Sequence, residues 1–283
     1  MHTVRPYYAA LLVVFIWSGW ITISRHGVHT SLQPADITLL RYCTAFITII
    51  PLIVKHKWRK FPLYQYLIVG LGVGFPYTLF SFYGLRQIKA AQAGVLVNGM
   101  LPVLGAVVAY FVFTQKISFR RWVAVILIFL ANITMAGPHL LARDHLLGIS
   151  LLLGAATVYT MHMTGVKKWG FTWQDTIVTV AVSNVLLFVP LWFLLPSNLL
   201  QSASSDIITQ AVYQGIIVNV IALMCVAYAL RYLGTITVSL YMSFVPVITA
   251  LFAWLFLGEA LVAREILGIA GCSTGLLVYA RNP

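Results

Sequence analysis

Apolar blocks follow one another along this chain with almost nothing between them. Ten can be counted, at about Pro6–Ser24, Pro34–Val54, Tyr64–Tyr83, Ala90–Phe113, Phe119–Gly137, Leu146–Val166, Gln174–Leu195, Ile207–Leu230, Thr235–Leu257 and Ala263–Ala280. A helix needs about 20 apolar residues to cross about 30 Å of hydrocarbon, and most of these blocks have close to that length. The longest connection, near Pro196–Asp206, has only about ten residues, so no extramembrane domain is expected. Hydrophobic residues make up 61% of the 283 and charged ones 8%, where a soluble chain carries about 25% charge. The expectation is an all-α integral membrane protein. Met1–Ser24 has a basic residue before an apolar run, as a signal peptide does, but lacks a small-x-small cleavage site and reads as a retained first span.

The net charge of +12 does not point to nucleic acid, because the basic residues stand in the short loops between blocks. With the N-terminus on side A, that side holds Arg5, Lys55, Lys57, Arg59, Lys60, Lys116, Arg120, Arg121, Lys167, Lys168, Arg231 and Arg281. Side B holds Arg25, Arg86, Lys89, Arg143 and Arg264. Twelve against five makes side A cytoplasmic by the positive-inside bias. Both termini are then expected in the cytoplasm, with the chain multi-pass in the cell's inner (plasma) membrane. Cys43, Cys225 and Cys272 all fall inside apolar blocks and show no metal-binding spacing.

The chain repeats itself. Tyr83, Leu85 and Arg86 match Tyr228, Leu230 and Arg231 at a shift of 145, and Pro102 and Ala109 match Pro246 and Ala253 at 144. Trp17, Ser18 and Arg25 match Tyr159, Thr160 and Lys167 at 142, Asp36 and Pro51 match Asp175 and Pro190 at 139, and Gln65 and Gly70 match Gln210 and Gly215 at 145. The order and near-constant shift give two halves of five spans, 1–138 and 139–283. An odd number of spans reverses direction, so the second half enters from the opposite side. Ten transmembrane helices in two inverted five-helix repeats are the arrangement of secondary transporters, whose substrate lies near the midplane between the halves.

These residues resemble the EamA-type transporters of the drug/metabolite transporter superfamily. The likeness is carried by Trp17–Ser18, by Leu40–Arg41, by Tyr83-Gly84-Leu85-Arg86 leading to Pro102, and by Tyr228-Ala229-Leu230 leading to Pro246. Leu257-Gly258-Glu259 fits the motif that closes the family's ninth span, whereas the fourth closes on Phe113-Thr114-Gln115. The resemblance implies a carrier that moves a small organic solute, a metabolite or amino acid, by alternating access and in the direction of export. It also implies a central cavity lined by spans one, three, four, six, eight and nine.

Arg41 is the one charge inside a span, five residues beyond Asp36. Intramembrane charge usually faces a cavity or a partner, so Arg41 is a candidate for holding a substrate carboxylate; the other reading is that it snorkels to the interface. His162 could titrate and couple transport to protons, or be a hydrogen-bonded interfacial ring. Its repeat partner is Trp20, and Trp17 is matched by Tyr159, either flanking a pore or packing between the halves. The fourth span carries Gly94, Asn98, Pro102, Gly105 and Ala109 at helical spacing, and the ninth carries Ser239, Ser243, Pro246, Ala250 and Ala253. Backbone groups freed by proline or glycine cannot be satisfied by lipid, so Pro102 and Pro246 are candidates for helix breaks and gating. Asn98, Tyr77, Asn219 and Tyr241 are candidate lining groups; Asn132 and Asn184 have less reason to face inward. Gly70-x-Gly72-x-Gly74-x-Pro76 is a second interruption.

No cofactor or metal is expected, since His26, His29, His139 and His145 fall in side-B loops, and no catalytic set stands in any span. The expected partners are a small-molecule substrate and the bilayer, with the protein a monomer or homodimer. A phosphorylated-sugar or nucleotide-sugar exchanger is the alternative, but it should place several basic groups centrally. A non-transporting membrane interaction subunit should show extended loops. A four-span drug pump should carry a glutamate in its first span, and this chain has none there.

Overall fold

The computed structural model describes residues 5–113, 118–136, 143–242 and 244–280, with the side chains of residues 102, 106, 109, 113, 136, 143, 144, 230, 231, 234–237, 239, 240 and 280 left undescribed. Among these residues every regular element is helical. Six helical stretches are long and apolar enough to cross a membrane, namely Arg5–Gly27, Leu63–Gln87, Ala90–Val112, His145–Trp169, Trp173–Trp192 and Ser204–Ala229, and Val245–Leu257 is a shorter apolar helix.

Helix α1 spans Arg5–Gly27. The second block divides into α2, Pro34–Thr48, and α3, Ile50–Lys55, because Pro51 has no N–H to continue the ladder. The third divides into α4, Leu63–Gly72, and α5, Phe75–Gln87, at the expected glycine–proline interruption. The fourth comprises α6, Ala90–Gly94, one π-helical stretch at Val95–Gly99, and α7, Met100–Phe113. Then come α8, Phe119–Ala136, α9, Arg143–Trp169, and α10, Trp173–Trp192. Gly170 turns the chain between α9 and α10 at φ 67°, a conformation that favours glycine. A second π-helical stretch, Ala211–Ala222, joins α11, Ser204–Gln210, to α12, Leu223–Met242. The last helices are α13, Val245–Leu257, and α14, Ala263–Ala280.

Two boundaries differ from the expectation. The sixth block starts earlier and ends later, at Arg143 and Trp169. Helix α12 runs straight through Arg231–Gly234, where a loop is expected, and is described as far as Met242. No proline interrupts Leu223–Met242, whereas Pro246 starts α13 within its first turn, where its missing N–H costs nothing.

The chain runs repeatedly between two ends of the bundle. At the end holding the start of α1 (side A), His56, Lys60, Tyr66, Thr172 and Asp175 meet. At the other (side B), Arg25, Gln33, Asp36, Arg86, Lys89, Ser197, Glu259 and Glu265 meet. The matched aspartates occupy equivalent places at opposite ends. Asp36 sits at the third position of α2 and Asp175 at that of α10, each closing a capping box. Asp36 accepts from Gln33 N (3.0 Å), Trp192 Nε1 (3.0 Å), Ser197 Oγ (2.5 Å) and Asn198 N (2.9 Å), tying α2 to the segment after α10. Asp175 accepts from Thr172 Oγ1 (2.7 Å) and Lys60 Nζ (2.5 Å), tying α10 to the segment after α3. Helices α8 and α14 pack intimately, with Gly268 against the Ala131 carbonyl and Gly275 against that of Ala124, as small residues permit between membrane helices.

Candidate functional site

A cavity of about 70 Å³ lies between the two halves. Its wall takes Trp17 and Trp20 from α1, Arg41 from α2, Tyr77 from α5, Asn98 from the first π-helical stretch, Tyr159 and His162 from α9, and Asn219 from the second. Val73, Val97, Leu101, Val180, Val218 and Leu223 supply the hydrocarbon part. The repeat-matched pairs Trp17/Tyr159 and Trp20/His162 therefore share one wall.

The arginine is 3% exposed and does not reach the interface. Its Nη1 donates to Gln214 Oε1 (2.8 Å) and its Nη2 to Asn219 Oδ1 (3.0 Å). Gln214 Oε1 also accepts from Trp20 Nε1 (2.8 Å), and its Nε2 donates to Ser24 Oγ (2.9 Å) and Gln210 Oε1 (3.2 Å). Gln214 is thus fully engaged, and it orients both Arg41 and Trp20. Arg41 Nε and Asn219 Nδ2 are buried with no hydrogen-bond partner.

The floor is the break between α4 and α5. A helix interrupted inside an apolar bundle leaves carbonyls and N–H groups that must be satisfied from elsewhere. Three side chains do this. His162 Nδ1 bonds the Val69 carbonyl (2.6 Å) and Tyr42 Oη donates to that of Val73 (2.8 Å). Asn184 donates through Nδ2 to Gly70 O (2.9 Å) and accepts from Phe75 N through Oδ1 (2.6 Å). Gly72 lets α9 approach: a Cβ there would stand 2.8 Å from Val158 O and 2.9 Å from His162 N.

Four rings form a row along the wall. Trp20 and Tyr77 stack at 5.6 Å, Tyr77 and Tyr159 are 5.4 Å apart, and Tyr159 and His162 are 5.7 Å apart. The Arg41 guanidinium lies 5.9 Å from the Trp20 ring, at one end of the row.

Of the candidate residues, Trp17, Arg41, Tyr77, Asn98, Tyr159, His162 and Asn219 come together here. Tyr241 does not. It packs near Tyr7 at side A, with ring centroids 6.4 Å apart, beside Ala10, Ala229 and Val238, because α12 carries on past the expected loop. Pro246 is buried but opens a helix instead of kinking one. Pro102 follows the π-helical stretch in α7, and its side chain lies outside the described residues, as do Ala109, Ser239 and Ser243. The expected straight stripe on the fourth span is also displaced. A π turn takes in an extra residue, so Gly94 faces Thr249, Asn98 the cavity and Gly99 Cys272, while a Cβ at Gly105 would meet nothing within 4 Å among the described residues. Trp20 and Gln214 are parts of the site not singled out as lining from sequence; the spacing Gln210, Gln214, Asn219 on an apolar helix was the available signal. Asn132 bonds its own helix at Ile128 O (2.8 Å). His145 lies 3.2 Å from Gln92 Nε2, and His139 lies outside the described residues.

At side B, two ion pairs join elements of the two halves. Arg25 donates through Nε to Glu259 Oε1 (2.8 Å) and through Nη1 to the Leu85 carbonyl, while Glu259 Oε2 accepts from Ala90 N (2.9 Å). Lys89 pairs with Glu265 (3.2 Å). Gln115, the counterpart of Glu259, lies outside the described residues.

A family model described as the EamA-like transporter family matches residues 5–136 and again 145–281. An uncharacterized transporter of Archaeoglobus fulgidus (strain ATCC 49558 / DSM 4304 / JCM 9628 / NBRC 100126 / VC-16) is 24% identical over 277 residues, 96% of this chain and 97% of that one. A protein known from a crystal structure shares the fold with a TM-score of 0.68 at 15% identity, over 98% of this chain and 96% of that one.

Proposed function

The chain belongs to the EamA-like transporter family, and from that premise we propose a secondary carrier that moves a small organic solute out of the cell by alternating access. Ten spans in two inverted halves, 1–138 and 139–283, carry it across the inner membrane with both termini in the cytoplasm. The observation that supports this reading best is the cavity itself, to which both halves contribute repeat-matched aromatic residues and where a buried cation has an unused donor. The exchange of ends by Asp36 and Asp175 supports the inverted arrangement. The two stretches matched by the family model support the division of the chain.

At about 70 Å³ the cavity is well below the roughly 300–1,000 Å³ of ligand pockets, so loading requires the wall to open. Two ion pairs at side B, Arg25–Glu259 and Lys89–Glu265, support reading this form as the one closed there. Glu259→Gln keeps an acceptor for Ala90 N–H but removes the charge facing Arg25. It is expected to weaken side-B closure by about 1.5–3 kcal/mol, roughly 10–100-fold in the closed-to-open ratio. The check is labelling of Val180→Cys, in a background free of other cysteines, by an impermeant thiol reagent added at side B; unchanged labelling would remove the gate from this ion pair.

Reporters fused after Ser118 and after Lys168 are expected on the same side, and opposite sides would end the inverted topology. Purified protein in liposomes is expected to move at least one member of a broad metabolite panel. Movement of none would sink the carrier reading.

A further inference from the structure

Resting on the carrier reading, we infer that the solute is a small monocarboxylate with a flat apolar body and a hydrogen-bond donor at its far end, bound as a net anion. Two donors and one acceptor that the fold leaves unused carry the inference, together with the rings between them.

Arg41 is buried, and its two occupied nitrogens bond neutral amide oxygens of Gln214 and Asn219. No carboxylate pairs with it among the described residues. A guanidinium removed from water needs a counter-charge or a heavy desolvation cost stands against it. The side-chain amides are already oriented. Gln214 is fully engaged, and Asn219 turns its oxygen to Arg41 and therefore its Nδ2 elsewhere. What remains is Arg41 Nε–H and Asn219 Nδ2–H, both buried and unpartnered, on two groups already hydrogen-bonded to each other. A cation with one unused N–H, bonded to an amide that also keeps an unused N–H, suits a carboxylate.

The other end of the ring row has the opposite character. The Val69 carbonyl can only accept, so His162 Nδ1 carries its proton. In the uncharged ring Nε2 is then an acceptor, and His162 lines the cavity. A hydroxyl or N–H on the ligand fits there. The stacked Trp20–Tyr77 pair and the Tyr159 ring between these ends offer faces to a flat body. No Asp or Glu among the described residues lines the cavity, so an ammonium group would find no counter-charge there, and one cation suits a carboxylate better than a phosphoryl dianion.

The test uses the purified full-length protein in nanodiscs and four probes: 4-hydroxyphenylacetate, its methyl ester, phenylacetate and tyramine. By calorimetry, 4-hydroxyphenylacetate is expected to bind at least 10-fold more tightly than its ester or tyramine, and more tightly than phenylacetate. Arg41→Gln is expected to weaken the acid by about 10–100-fold, at least 10-fold more than it weakens the ester. The probe series on the unmodified protein stands even where that variant does not fold. Ester or tyramine binding as tightly as the acid, or no acid binding at all, overturns the inference. Counterflow in liposomes separates it from the reading beneath. Acids that bind while no solute moves leave the ligand class standing and defeat the carrier. Neutral solutes that move while no acid binds or moves do the reverse.

Discussion

Asp36→Ala is expected to destabilise the protein by about 2–4 kcal/mol, since it removes at once a buried acceptor shared by four part-buried donors. The aspartate is fully buried, and its two oxygens serve Gln33 N, Trp192 Nε1, Ser197 Oγ and Asn198 N. Alanine removes the acceptor and leaves all four donors in place. Two of them belong to the segment after α10, so the tie between the halves at side B goes with the carboxylate. Asparagine at this position would keep an acceptor oxygen, and Asp36→Asn is expected to lose less, about 1–2 kcal/mol. Asp175→Ala should also be milder, because Lys60 is 42% exposed and can return to water. Unfolding by denaturant in detergent, followed for the three variants, checks the order; equal losses for Asp36→Ala and Asp175→Ala would remove the special weight given to the buried tie.

Gly72→Val is expected to abolish transport and to cost more than the about 1–3 kcal/mol typical of overpacking. The atoms in the way are backbone, Val158 O and His162 N, at 2.8 and 2.9 Å from where a Cβ would stand. They cannot rotate aside as a side chain would, so α4 and α9 must separate. Separation pulls the Val69 carbonyl from His162 Nδ1, and the floor of the cavity loses one of its caps. Gly105→Ala is the control. A Cβ there would meet nothing within 4 Å among the described residues, and alanine in a helix interior gains about 1 kcal/mol over glycine. Thermal stability and liposome flux measured on both variants provide the check. A Gly72→Val protein as stable and active as the unmodified one would show that the two helices are not held as close as described.

Much of the fold was legible because bilayer physics writes it into composition. The apolar blocks and the Gly70–Pro76 interruption each follow from a residue type acting locally. The buried charge of Arg41 was legible for the same reason. Its partners were not, because a glutamine at position 214 gains meaning only when α2 and the second π-helical stretch lie side by side. Asn184 is similar: nothing near it in sequence shows that the broken ladder of α4 ends on its amide. The two π-helical stretches have no compositional signature, yet they set which way Asn98 and Asn219 face. Tyr241 was misplaced because α12 continues through Gly234, a residue that reads locally as a stop.

The capped break between α4 and α5 divides the residues in and behind the cavity wall into two kinds. His162 in the wall and Asn184 behind it answer to the backbone, and Gln214, also behind it, answers to Arg41 and Trp20. Exchanging one of these orphans a buried polar group somewhere else. Val97, Leu101, Val180, Val218 and Leu223 present only hydrocarbon to the cavity, and a change of their size alters its outline alone. Selection for a new cargo thus has an inexpensive route through five apolar positions, while the polar scaffold stays as it is. A lineage built on this architecture can drift in what it carries without relearning how to fold.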